Sequence, residues 1–480
     1  MQHFIRRNWM FVAGYQWRLI LYLSALVSSS LLLGGLLGWL GFYACIIVMM
    51  GIAFSIVVFL RLDTLSVTLV IAIHVYVDWY LGFHLVAPVL AIILLFYYYI
   101  MRCPSRPWSF PRFYVIWLVF LIVTIYPAIR GGLLMTYDAA SYYPSDILGA
   151  LLMYWLGTVV IPDPVRLRRF FAIFTCFAAL LAAHTLYQSV TGTVLFASPR
   201  VDEFLSSADV AYYQFTGSAT QRTGSFFIDP NWNGAFFALV FFLPLGLFVC
   251  DIVLWQKLCV LFAMVLILLA LMCTYSTGAW IAFLVGWVFF LLLVGNTYYR
   301  LLLLAIGLCS VALITIVFPA QIALQLQHIS ANNELSLRIA AWRTALHVIQ
   351  AYPWTGVGLG HQVYLLRADA YRVPEQFIPL SHPHDSYLEW AAMAGLPVLS
   401  IFIALLLSAL WLAYYNWSSV NMSLRPLIGA GITSIITLSV NSISINGWTH
   451  FALAMIGWLI LGTIVSPSLH VENKTSIVKR

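Results

Sequence analysis

The chain has 480 residues, 63% of them hydrophobic and 8% charged, with a mean hydropathy of +0.96. A water-soluble domain carries about a quarter charged residues, so a water-soluble protein is excluded. The formal net charge of +7 does not mark a nucleic-acid binder, because the surplus falls on short turns between apolar runs, where anionic membrane lipid is the natural partner.

Apolar runs near the length of a bilayer span, about 20 residues, recur from end to end. They lie near 19–33, 36–60, 64–81, 84–100, 113–130, 145–162, 169–190, 232–250, 256–273, 277–294, 299–318, 397–415, 425–443 and 447–466. None shows the period-two alternation that a lipid-facing barrel strand needs. The expectation is an all-α polytopic membrane protein with about 12–14 transmembrane helices. The basic start "HFIRRNW" ahead of the first run reads as an uncleaved signal anchor rather than a removed peptide.

With a cytoplasmic N-terminus and alternating spans, most of the 23 basic residues fall on inner turns, as the positive-inside rule requires. The outer side keeps Arg130, Arg200, Arg222, Arg338, Arg343, Arg367 and Arg372, together with most of the acids. The chain then divides into N-terminal transmembrane helices (1–190), a first long outer loop (191–231), central helices (232–318), a large outer loop with amphipathic helices (319–396), and C-terminal helices with a cytoplasmic tail (397–480). Seven cysteines occur, outside both long loops and without a C-x-x-C pair. This spacing favours neither disulfides nor structural zinc.

Loops this long are usually functional or disordered, and both contain Trp, Tyr and Leu throughout. The first ends "QRTGSFFIDPNWNGAFF", where Asp229 or Asn231 can cap a helix starting near 232 and Pro230 suits its first turn. Arg222 precedes that helix N-terminus, and a guanidinium there makes a plausible phosphate site. In the second loop, Asn333 can cap a helix whose Leu335, Ile339, Trp342, Leu346 and Ile349 form one apolar stripe. Such a helix is expected at the membrane surface or against span ends, with Arg338 and Arg343 off the stripe. Gly356, Gly358 and Gly360 follow as turn formers, since a nucleotide-binding loop would need a preceding strand.

The stretch "SHPHDSYLEWAAMAGLP" (381–397) gathers His382, His384, Asp385 and Glu389 in an otherwise greasy chain. Pro383 disfavours helix at His382, so a short helix is expected from Asp385 or Ser386 to a break at Gly395 and Pro397. His384 then sits at the membrane face within reach of water-borne substrate, and an imidazole of pKa about 6.5 is a proton acceptor there. Asp385 and Glu389 are placed to orient or charge it. Two other readings remain: an H-x-H metal site, which matches no standard zinc spacing, and plain capping or surface residues.

Three of these stretches resemble motifs of the O-antigen ligase and O-antigen polymerase superfamily of bacterial envelope proteins. "RTGSFFIDPNWNGAFFAL" is similar to its R-x-x-G-F-x-x-P-N motif, "SLRIAAWRTALHVIQAYPWTGVGLG" to its S-x-R-x-x-x-W and glycine-rich segment, and "HDSYLEWAAMAGLP" to its H-N-x-Y-L-E segment. They stand in the family order between roughly 220 and 400. The resemblance implies a GT-C-like fold and a metal-independent glycosyltransferase without cofactor, in the bacterial inner membrane with its active site on the periplasmic side. Its donor would be a glycan on undecaprenyl diphosphate, and its acceptor a sugar hydroxyl such as that of lipid A–core. By the same resemblance Arg222 grips the donor diphosphate, Arg338 supports that charge, His384 is the catalytic histidine, and Glu389 is the more interesting carboxylate because Met393 replaces a frequent acid. Thr277 stands where relatives often carry a further arginine, which shifts that work to Arg343 or Arg200. Asp385 replaces the usual Asn.

The resemblance leaves a ligase, slightly favoured, and a repeat-unit polymerase. A small-solute transporter is the reading from another class. Transporters place charges deep within spans, and His74 and Asp78 are the candidates for that here.

Overall fold

The structure, a computed structural model, describes residues 48–80, 85–102, 110–133, 142–161, 163–195, 222–250, 252–294, 296–317 and 334–466. It divides into two units, Met1–Leu62 and Asp63–Arg480. In the first, the short apolar helix α1 (Val48–Phe59) falls within the expected span at 36–60, and the span near 19–33 lies outside the described residues.

The second unit is an assembly of packed helices, and the described residues contain no strand. In chain order these are α2 (Asp63–Ile73, widening into π-type turns over His74–Tyr80), α3 (Val86–Tyr97), α4 (Tyr114–Gly132), and α5 (Gly149–Val160, entered through Tyr143–Leu148). Next come α6 (Pro164–Thr191), α7 (Pro230–Val240), α8 (Phe242–Val249), α9 (Leu254–Cys273), α10 (Thr277–Leu293) and α11 (Thr297–Val317). The large loop contains α12 (Glu334–Ala351), α13 (His361–Ala368) and α14 (Ser386–Ala394), and α15 (Leu396–Ser419), α16 (Arg425–Asn441) and α17 (Phe451–Ile464) close the unit. Five helical stretches, α4, α6, α7–α8, α9 and α15, are each long and apolar enough to cross a membrane, and shorter apolar helices stand beside them. The chain is an all-α polytopic membrane protein.

Helix α17 is the hub, with every residue from Phe451 to Ile464 buried. It meets α5 at very close range, because a methyl group added at Gly157 or Gly462 would run into the facing backbone. Small residues let helix backbones approach where lipid supplies no hydrophobic drive. Outer helices instead turn large side chains away from the core, as with Leu118, Ile122 and Ile129 of α4 and Leu258, Phe262 and Val265 of α9.

Hydropathy alone misplaces several ends. Helix α6 begins at Pro164 rather than 169, since Asp163 caps it by accepting from the Arg166 amide at 2.9 Å and the basic first turn is helical too. The span expected at 232–250 is interrupted at Phe241, where Pro244 offers no amide to the Val240 carbonyl. The spans expected at 425–443 and 447–466 are both shorter, leaving 442–450 as a buried irregular turn. Its Ser442, Ser444 and Asn446 accept hydrogen bonds from other segments instead of continuing a helix.

Two ends of the unit differ in kind. One gathers Arg166, bonded to Asp163 at 3.2 Å and Asp63 at 3.5 Å, with Lys257, Arg300 and Arg425. The other brings together the C-terminal ends of α2, α4, α6, α9 and α16 with the N-terminal ends of α7, α10, α14 and α17. His74 and Asp78 are buried at that second end. Asp78 accepts from the Val86 and Ala87 amides, at 2.7 and 2.8 Å, and so caps α3. His74 bridges Asp78 and the Phe451 carbonyl, at 3.4 and 3.2 Å. Both groups tie helix ends together.

Candidate functional site

The first expected segment is built around a buried guanidinium. Arg222 donates from Nε to the Thr274 carbonyl at 3.1 Å and from Nη2 to Asn231 Oδ1 at 2.8 Å. Asp229 caps α7 by accepting from the Asn231 amide, with Pro230 in the first turn, as expected from the sequence. Burial raises the Asp229 pKa, while the Asn231 amide and the charges of Arg222 and Arg338 work against that rise. Arg222 and Arg338, far apart in sequence, therefore act on one carboxylate. Arg200 lies outside the described residues.

Arg338 stands on α12, half-buried, and donates from Nη1 to the Ser444 carbonyl at 3.1 Å. Arg343 is on the exposed side of the same helix. The packed face of α12 is Ala340, Ala341, Thr344, Ala345 and Val348 rather than the large apolar stripe, of which Leu335, Ile339 and Leu346 are exposed. Alanines allow α12 to lie close against α14 and leave the bulky side chains facing outward. The glycine turn follows. Gly356 has φ +61°, and a side chain there would strike the Met393 backbone. This close approach lets the Val357 and Gly358 amides donate to the Ala392 and Met393 carbonyls, each at 2.9 Å.

The turn delivers His361, the first residue of α13, to the third segment. His361 Nε2 lies 2.9 Å from Oε1 of the fully buried Glu389, whose Oε2 accepts from Thr449 Oγ1 at 2.8 Å. Asp146 is within electrostatic reach of both His361 and Glu389. The imidazoles continue as a row: His361 to His382 with ring centroids 5.5 Å apart, then His382 to His384 at 4.3 Å. Burial, and after it the charges of His384, His361, His450 and Arg338, hold the His382 pKa well below its ordinary value. Arg338 thus borders both the imidazole row and the Arg222–Asp229 group.

The buried turn 442–450 is the floor on which these segments meet. Ser386 donates its amide to the Ser442 carbonyl at 2.9 Å and accepts from the Trp448 amide at 2.9 Å. Trp232, next to Asn231, donates to Asn446 Oδ1 at 2.7 Å and lies over the His450 ring at 3.9 Å between centroids. Sequence reasoning missed His361, Asn446, Thr449 and His450. The available signal was the run "NSISINGWTH", whose Asn, Ser, Thr and His are too many for a simple inter-span turn.

Asp385 caps α14, with Oδ1 accepting from the Tyr387 and Leu388 amides at 2.8 Å each. Its carboxylate is therefore directed at the helix end as a cap. Burial raises its pKa to about 6, with the two amides opposing and Glu389 adding to the rise. The folded protein then holds this proton more tightly than the unfolded chain, so stability falls as pH rises from about 4 to about 6. Asp385→Asn keeps the capping oxygen and removes that loss. Its advantage in thermal unfolding is expected to grow across the same window, up to about 3 kcal/mol above pH 6. A pH-independent difference between the two proteins would refute the assignment.

No curated protein matches the chain. Residues 262–403 match the family model described as O-antigen ligase. That span holds Arg338, Arg343, His361, His384 and Glu389, and leaves Arg222 and the turn 442–450 outside. The polytopic helical fold agrees with that match, which supports membership of the O-antigen ligase superfamily and, in general terms, a ligase- or polymerase-type glycosyltransferase activity.

Proposed function

We propose that the protein transfers a glycan from undecaprenyl diphosphate to a sugar hydroxyl of an acceptor such as lipid A–core, at the periplasmic face of the bacterial inner membrane. The observation that carries this reading is the meeting of three motif segments on the 442–450 turn, with Arg222 and Arg338 acting on one carboxylate and Arg338 also bordering the imidazole row. The basic end of the unit, with Arg166, Arg300 and Arg425, would face the cytoplasm by the positive-inside rule, leaving the site outside.

The donor diphosphate binds between Arg222 and Arg338, whose planar forks suit phosphate oxygens. The acceptor oxygen attacks the anomeric carbon, and the bond from that carbon to the diphosphate oxygen breaks. Undecaprenyl diphosphate leaves with the electron pair, its charge held by the fixed guanidinium groups. His384 takes the proton from the attacking hydroxyl, and Glu389 supplies buried negative charge to the imidazole row. No nucleotide is needed, because the sugar–diphosphate bond already contains the leaving group. The reading is tested with protein purified in lipid vesicles, an undecaprenyl-diphosphate-linked glycan and lipid A–core. Ligated product is expected. Product formed only with a second donor repeat unit would identify a polymerase, and no product with either acceptor would overturn the reading.

A further inference from the structure

His384 is a residue with a side chain in the left-handed region, at φ +55°. That conformation is uncommon outside glycine and strained for a residue with a side chain, so something must hold it. The hydrogen bonds identify the holder. The His384 amide donates to Nδ1 of His382 at 3.2 Å, across Pro383. A side-chain acceptor two residues ahead of the amide it receives, with proline between, is the geometry of an Asx-type turn, here formed by an imidazole. The same imidazole packs edge-on against the His384 ring at 4.3 Å between centroids.

We infer that His382 is a positioning residue: its Nδ1 holds the backbone of His384 in the turn that presents the 384 imidazole to substrate. This inference rests on the proposed role of His384 as the base. For Nδ1 to accept the amide, His382 must be neutral with its proton on Nε2. Its surroundings favour that form. His361 from α13, His384 beside it, His450 at the start of α17 and Arg338 from α12 all place positive or potentially positive groups against it. Glu389 of α14 is engaged with His361 and Thr449, fixing the far end of the row. His382 is thus a neutral spacer: a proton on its Nδ1 would turn the acceptor into a donor and release the His384 amide.

The test compares three substitutions in the vesicle assay, using an undecaprenyl-diphosphate-linked glycan and lipid A–core. Asparagine can place its oxygen where Nδ1 stands, whereas glutamine reaches only toward Nε2 and alanine offers no acceptor. His382→Ala and His382→Gln are expected to lower kcat about 10- to 100-fold, the cost of a misplaced catalytic group, with donor KM within about twofold. His382→Asn is expected to recover most of that loss, through the same turn. A merely structural role would track melting temperature instead of acceptor geometry. Equal activity of His382→Asn and His382→Gln, or full activity of His382→Ala beside an inactive His384→Ala, overturns this inference alone. Full activity of His384→Ala overturns the assignment of the base, and the inference with it.

Discussion

Replacing His384 by alanine is expected to lower the rate of glycan transfer about 10²- to 10⁴-fold, the range for loss of a positioned general base, while donor binding stays near its original value. The ring is half-buried at the rim of the site, so its removal opens no core cavity. The positive φ of His384 calls for a control, because alanine is also strained there. His384→Asn provides it, since asparagine tolerates the left-handed region but is no base. Equal loss in both variants, measured as product per unit time with unchanged thermal unfolding, assigns the effect to the imidazole. Activity retained in His384→Asn would mean that backbone geometry, not proton transfer, is what position 384 supplies.

Arg222→Ala is expected to reduce kcat about 10²- to 10³-fold, the usual cost of losing one preorganised donor to a developing negative charge. Arg222→Lys should restore little. A lysine has a single ammonium in place of a planar fork, and it cannot meet the Thr274 carbonyl and Asn231 Oδ1 as the guanidinium does at 3.1 and 2.8 Å. Removing the guanidinium also leaves half-buried Asp229 with less opposing charge, which raises the carboxyl pKa further. Donor competition with undecaprenyl diphosphate separates the two consequences: a clamp role predicts weakened competition, whereas a purely structural role leaves competition intact and lowers the amount of folded protein. Near-native activity in Arg222→Lys would contradict the bidentate clamp.

The parts of this site that were legible in the sequence are those where one residue type does a local job. Asp229 and Asp385 precede short apolar helices as caps, Pro230 opens one of them, and Gly356 and Gly395 stand where φ is positive. Each follows from its immediate neighbours, so the motif ends could be placed to within a residue or two. Tertiary pairing was not local and was not legible. Glu389 was assigned to the neighbouring His384, yet it pairs with His361, which a glycine turn brings across from another helix. The outward stripe on α12 was apparent from its 3.6 period, whereas the face that packs is made of alanines, to which hydropathy gives little weight. The turn 442–450 was hidden in a third way. Hydropathy windows average its Ser and Asn with the apolar flanks, although Ser442, Ser444 and Asn446 accept hydrogen bonds from Ser386, Arg338 and Trp232 of three distant segments.

The central claim is that the segments around Arg222, Arg338 and His384 form one diphosphate site at the end of the unit opposite Arg166 and Arg425. Photo-crosslinking with an undecaprenyl diphosphate bearing a reactive group beside the phosphates, followed by peptide mapping, tests it directly. Labels are expected together in 222–233, 336–345 and 382–390, and undecaprenyl phosphate should compete less well than the diphosphate. Labels confined to one of those segments, or centred on the basic end near Arg166 and Arg425, would contradict it.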